Sequence, residues 1–209
     1  MNSRSLQSGM TLVEALVVMV LFLATMALVT TLFSYASRST NRSMSRTDTQ
    51  GELTQVSQIL REDVSNSPRS GQLYFYLQNP TGRDDLVAAL LTTEDANGVR
   101  GWDTASYLPI YQGYYVFYRD PNDDTLRRFY KAIAPTRVAA PPQESEVRTA
   151  IANTPSRPLA KGVTLFALQS LLTGVAVDFP TNPVGFSIQS RSEKGAPVRT
   201  SFTVKSPII

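Results

Sequence analysis

Apolar side chains fill the chain from Ala15 to Val29 with Thr25 as the only polar interruption, and they resume at Leu32 and Phe33 after Thr30 and Thr31. Counted from Met10 to Phe33, the run covers 24 residues. As a helix rising about 1.5 Å per residue it spans about 36 Å, enough to cross a bilayer core. Further on the pattern becomes periodic: Leu53, Val56, Leu60 and Val64, with Ile59 beside them, fall at i, i+3, i+7 and i+11. That spacing makes one apolar stripe suited to packing on a sheet. Pro68 and Gly71 act as stop signals. Together the two patterns predict one long helix from about Met10 to Ser65, its first half in a membrane and its second half docked on a soluble domain.

The rest of the chain reads mostly as β-structure. Gln72 to Pro80 is a strand candidate, and Gly113 to Ile133 reads as a hairpin of two aromatic and β-branched runs around Asp120 to Asp124. Leu86 to Thr93 fits either a short helix or a buried strand, and the Asn97-Gly98 pair after it marks a turn. Ala134 to Pro158 reads as a long, exposed, proline-containing loop, hence a candidate contact surface. Val184 to Arg191 and Val198 to Lys205 alternate as two closing strands joined by Glu193 to Pro197. The expected class is α+β, a long N-terminal helix on a mainly antiparallel sheet.

Composition narrows the chemistry. The 209 residues, 42% hydrophobic, suffice for one anchor and one folded domain. Cysteine is absent, so the fold has no disulfide and no thiol nucleophile or thiolate ligand. Histidine is absent too, which removes the commonest general base and transition-metal ligand. We therefore expect a non-enzymatic protein without a cofactor. The formal charge of +3 is too small by itself to indicate a nucleic-acid partner.

Two polar clusters invite a ligand. Asp120, Asn122, Asp123 and Asp124 offer oxygen ligands to a hard cation, but the sixth-position glycine and distal glutamate of an EF-hand are missing. Pro, Asn and Asp are turn formers in their own right, so a hairpin turn is preferred and no metal is assigned. Arg38, Arg42 and Arg46 repeat at i, i+4 and would stack on one helix face. A solvated face or a collar at lipid headgroups is preferred for them, with DNA or anionic lipid binding as the alternative, because no aromatic residues interleave them.

Glu14 is the one acid close to the apolar run, and a charge at the centre of a lipid-facing helix costs roughly 2.5 to 3.5 kcal/mol or more. The residues before the run give it a context. Met1 to Gly9 is short and polar, carries Arg4 and no acid, ends in glycine, and leads into Met10-Thr11-Leu12-Val13-Glu14. No A-x-A-like site follows the run, and its apolar core is longer than that of a secretory signal. A plain signal anchor explains the length but leaves Glu14 unexplained. The combination resembles the class III leader of type IV pilins and type II secretion pseudopilins, with Met10 where the family most often has Phe.

This resemblance implies a pilin-like fold and cleavage after Gly9 by a prepilin peptidase, with N-methylation of Met10. The segments would be a leader at 1–9, a transmembrane and assembly half of the helix at 10–33, a polar then amphipathic half at 34–66, and a β-rich domain at 67–209. Cleavage creates an ammonium at Met10, and a carboxylate one turn along can neutralise it in its own subunit or, as the resemblance implies, in the adjacent subunit of a filament. Glu14 would then set register in assembly. The implied partners are other pilin or pseudopilin subunits, the prepilin peptidase, and an assembly platform in the inner membrane. The subunit would start as a single-pass inner-membrane protein with a cytoplasmic N-terminus and end in a periplasmic or extracellular filament.

The Leu-x-x-Gly-Val-x-x-Phe segment from Leu159 to Phe166, the closing strands and the helix end from Gln50 to Ser67 look similar to PilW-type minor pilins and GspJ-type minor pseudopilins. No proline lies between Met10 and Val64, unlike the kinked helix of many major pilins. A minor subunit of a type IV pilus, serving adhesion, twitching motility or DNA uptake, is therefore the favoured expectation. A minor pseudopilin and a DNA-binding pilus component are the alternatives. Basic residues favour the opposite orientation, since Arg4 precedes the run while Arg38, Arg42 and Arg46 follow it. The leader is the more specific of the two signals.

Overall fold

The computed structural model describes residues 11–78, 84–169, 183–191 and 197–205. The chain divides into two compact units, Met1–Met44 and Ser45–Ile209. Helix α1 runs Leu12–Asn66, close to the expected bounds, and continues through Gly51. In the first unit every described residue is exposed. The large apolar side chains from Leu12 to Leu23 follow one another around the whole circumference, so no single face is set aside for a sheet. The hydroxyls within this stretch turn back on the helix: Thr25 donates to the Phe22 carbonyl at 2.8 Å and Thr31 to that of Ala27 at 2.7 Å. They ask nothing polar of the surroundings.

In the second unit the remainder of α1 is amphipathic. Leu53, Val56, Leu60 and Val64 are buried and Ile59 is packed beside them, as the spacing predicts. The helix stops before Pro68, and the Gln72 side-chain amide donates to the Ser67 carbonyl at 3.0 Å, satisfying one of the acceptors left at the end.

Strands β1 (Gln72–Gln78), β2 (Asp84–Thr92), β3 (Gly101–Trp102), β4 (Pro109–Asp120), β5 (Thr125–Thr136) and, after helix α2 (Glu144–Asn153), β6 (Arg157–Ala160) form one antiparallel sheet. Its order is β1-β2-β4-β5-β6, with β3 paired to β4. Strands β7 (Val163–Gln169), β8 (Val184–Ser190) and β9 (Val198–Val204) form a second antiparallel sheet in sequence order. The β4–β5 hairpin and the two closing strands match the sequence expectation. A tight approach shapes the hairpin: a Cβ on Gly113 would lie 2.3 Å from the Tyr130 ring, next to a register shift between Tyr111 and Gly113.

Two regions resolve or correct the sequence reading. Leu86 to Leu91 is a strand, and all six side chains are buried because β2 lies inside the sheet with both faces covered. A strand buried on both faces loses its polar alternation, which is what made this run ambiguous. The segment 134–158 is only partly a loop. Strand β5 extends to Thr136, α2 follows, and β6 begins at Arg157. Helix α2 starts just after Pro141 and Pro142 and buries Val147 and Ala150, an i, i+3 pair.

The core has two faces. On one, the α1 stripe meets Leu86, Ala88, Leu90 and Phe117 of the larger sheet together with Phe166, Phe186, Ile188 and Phe202 of the smaller one. On the other, α2 covers Val87, Ala89, Val116 and Phe129. A long apolar helix packed against antiparallel sheets is thus the architecture, in the α+β class. Leu60 is fully buried at the centre of the stripe, so Leu60→Ala should lower unfolding free energy by about 2 to 5 kcal/mol, measured by urea denaturation in detergent.

Candidate functional site

Thr11 and Glu14 form a closed pair at the start of α1. The Thr11 backbone N–H and hydroxyl donate to Glu14 Oε2 at 2.8 and 3.0 Å, and the Glu14 N–H donates to Thr11 Oγ1 at 3.3 Å. This reciprocal pattern is a capping box, in which two otherwise unpaired helix donors are satisfied. Thr-x-x-Glu is visible in the sequence as a cap signature, and the electrostatic reading of Glu14 passes over it. Gly9 and Met10 lie outside the described residues.

Arg38, Arg42 and Arg46 stand exposed on successive turns of α1, and no acidic residue pairs with any of them among the described residues. The structure does not bring them to Glu14 or to another cluster.

The acidic turn at Asp120 to Asp124 is instead occupied by arginines. Arg127 Nε lies 3.1 Å from Asp120 Oδ2, and its Nη2 bonds Asp123. Asn122 N–H and Thr125 N–H donate to the Asp120 and Asp123 carboxylates, which makes this a capped hairpin turn, as expected. Asp124 takes a left-handed backbone conformation at φ 53° and bonds Arg119. Arg119 is buried and also donates to Asp85 Oδ2 at 2.6 Å and to the Val163 carbonyl at 2.5 Å. One guanidinium therefore ties β2, β4, the hairpin turn and β7 together. Removing one partner of such a buried pair costs about 3 to 5 kcal/mol, so the cluster has a structural role.

A second cluster joins α1 to the sheet. Arg128 of β5 donates to Asp63 Oδ1 at 3.0 Å and lies 2.8 Å from Oδ2, with its guanidinium 3.7 Å from the Tyr115 ring centroid. The Tyr115 hydroxyl donates to Glu94 at 3.0 Å, and Glu94 also pairs with Arg100. Burial pushes the Asp63 carboxyl up to about 7, outweighing the pull of Arg128. Burial, reinforced by the bond to Glu94, pushes the Tyr115 phenol up to about 12. Nearby on α1, the Arg61 guanidinium lies 5.2 Å from the Phe202 ring. Sequence spacing carries no sign of these contacts, because Asp63 and Arg128 are 65 positions apart.

Among the described residues no group of three His, Cys, Asp or Glu side chains converges as a metal site. The feature that stands out is therefore the exposed apolar helix itself, long and apolar enough to cross a membrane and capped by Glu14. With the antiparallel sheets it is consistent with a pilin-like architecture. No protein-family model, curated protein or solved structure matches the chain.

Asp63 gives a pH signature. Between about pH 4 and pH 7 the folded carboxyl holds a proton that the unfolded chain has released, so this group's contribution to stability falls as pH rises through that window. The full effect is on the order of 4 kcal/mol. Urea unfolding across that range should show the decline in the wild type and a flatter profile in Asp63→Asn.

Proposed function

We propose that the chain is a structural, pilin-like subunit, processed after Gly9 and assembled into a type IV pilus as a minor component. The observation that carries this reading is the exposed apolar half of α1, which begins with a carboxylate held at its first turn. Side chains such as Leu16, Leu21, Phe22 and Leu28, each more than half exposed, need an apolar cover. Each gains about 1.5 to 3 kcal/mol when fully buried, in lipid or among neighbouring helices. The same surface serves both stages, first in the inner membrane and then in the core of a filament.

Glu14 has two uses in this scheme. Both of its bonds from Thr11 end on Oε2, and the scheme gives Oε1 a further donor. The Met10 ammonium created by cleavage, from the same or the adjacent subunit, is the donor the scheme assigns. An unpaired charge inside a helix bundle is strongly unfavourable, so subunits would settle in the register where the charges meet. The prepilin peptidase and the inner-membrane assembly platform are the corresponding partners, with the N-terminus cytoplasmic. A pseudopilin of a type II secretion system would use the same helix, and co-assembly with pilus or with secretion subunits separates the two.

Mass spectrometry of the membrane-extracted protein should show a mature chain beginning at methylated Met10; an assembled chain that retains Met1 would reject the scheme. The two uses of Glu14 separate by mutation. Thr11→Ala removes the cap partner, costing about 1 kcal/mol of helix stability, and should leave filament incorporation largely intact. Glu14→Ala removes both the cap and the charge, and should reduce incorporation at least about tenfold, a loss worth about 1.4 kcal/mol. An equal reduction in both variants would show that the cap alone matters, and wild-type incorporation of both would overturn the registry role of Glu14.

A further inference from the structure

Beyond Phe33 the surface of α1 changes from apolar to a mixture of one aromatic and several cationic side chains. Tyr35 is 75% exposed, and Thr30, Thr31, Ser34, Tyr35 and Arg38 line a shallow concavity on the helix. The Thr30 and Thr31 hydroxyls are already bonded to carbonyls one turn back, whereas the Arg38 and Arg42 guanidiniums have no acidic partner among the described residues. An exposed tyrosine followed one turn later by an arginine is the arrangement that favours a membrane–water boundary.

We infer that Arg38 and Arg42 bind the phosphates of anionic phospholipid headgroups where α1 leaves the bilayer, and that Arg46 does not. This rests on the reading of α1 as a membrane span. Axial distance decides between the three arginines. If the hydrocarbon ends at Phe33, the Cα of Arg38 lies about 7 Å beyond it, Arg42 about 13 Å and Arg46 about 20 Å, at about 1.5 Å per residue. The headgroup layer is only about 5 to 7 Å deep. Arg38 sits at its outer limit. Arg42 reaches it because side chains on a helix lean toward the N-terminus, here toward the membrane. Arg46 leans the same way but starts about three times the layer depth from the hydrocarbon.

A planar guanidinium matches a phosphate with two parallel hydrogen bonds, and the uncompensated charge supplies the preference for an anionic lipid over a zwitterionic one. Tyr35, at the same level as the concavity, orders the boundary. Nucleic acid would engage the arginines differently: a phosphate backbone running along the helix would use Arg38, Arg42 and Arg46 alike, since all three share one spacing.

The test uses the full-length chain reconstituted in bilayers of equimolar phosphatidylglycerol and phosphatidylcholine, with retained lipids counted by native mass spectrometry. Phosphatidylglycerol should be enriched about fivefold for each engaged arginine. Arg38→Gln and Arg42→Gln should each lose that enrichment, while Arg46→Gln keeps it. Wild-type protein that stays in the bilayer through alkaline carbonate but shows no enrichment would overturn the lipid site while leaving the anchor standing. Protein released by carbonate would overturn the anchor itself. Equal loss in all three variants, or displacement of the lipid by duplex DNA, would overturn the lipid assignment in favour of a polyanion site along the helix.

Discussion

The globular unit depends on the burial of one stripe, Leu53, Val56, Leu60 and Val64, against two sheets at once. The larger sheet brings Leu86, Ala88, Leu90 and Phe117 to this contact, and the smaller one brings Phe166, Phe186, Ile188 and Phe202. The two sheets meet over the helix, so its stripe serves as the common floor of both. Side chains of this size contribute about 1.5 to 3 kcal/mol each when fully buried, comparable in sum to the whole stability of a small domain. Polar contacts then fix the rotation of the helix: Asp63 binds Arg128 on the larger sheet, and Arg61 lies over Phe202 on the smaller.

Charge is distributed according to the same division. Within the globular unit, three arginines of β4 and β5 are paired internally: Arg119 with Asp85 and Asp124, Arg127 with Asp120 and Asp123, Arg128 with Asp63. Along the exposed part of α1, Arg38, Arg42 and Arg46 have no acidic partner among the described residues, and Glu14 at its start is turned onto the Thr11 backbone. A helix that is apolar on every side, closed at its first turn and cationic beyond its apolar end is long and apolar enough to cross a membrane.

Periodicity made much of this fold legible. The i, i+3, i+7 stripe of α1 and the alternating strand β9 each bury one face, and burial on one face leaves a regular trace in the sequence, while the β4–β5 hairpin is marked by the turn residues between its two aromatic and β-branched runs. Strand β2 was ambiguous because both of its faces are covered. Helix α2 was missed because two prolines precede it and only Val147 and Ala150 mark its buried side. At the candidate site, Glu14 stood out as an acid beside an apolar run, yet its partner Thr11 is an ordinary cap residue that draws attention only through spacing. The Asp63–Arg128 and Asp85–Arg119 pairs join distant parts of the chain, and no local pattern announces them.

Strand β2 also has a cost that arises before the domain exists. Its segment Leu86-Val87-Ala88-Ala89-Leu90-Leu91 has no charge, no proline and no glycine, and it is sealed only after β1, β4, α1 and α2 have all arrived. Until then it is a short uncharged strand able to pair with another copy of itself, the composition from which aggregates start. Asp84 and Asp85 stand directly before it as like charges that oppose such stacking. One of these gatekeepers, Asp85, is later buried against Arg119, so the repulsion that protects the nascent chain becomes an attraction once folding is complete.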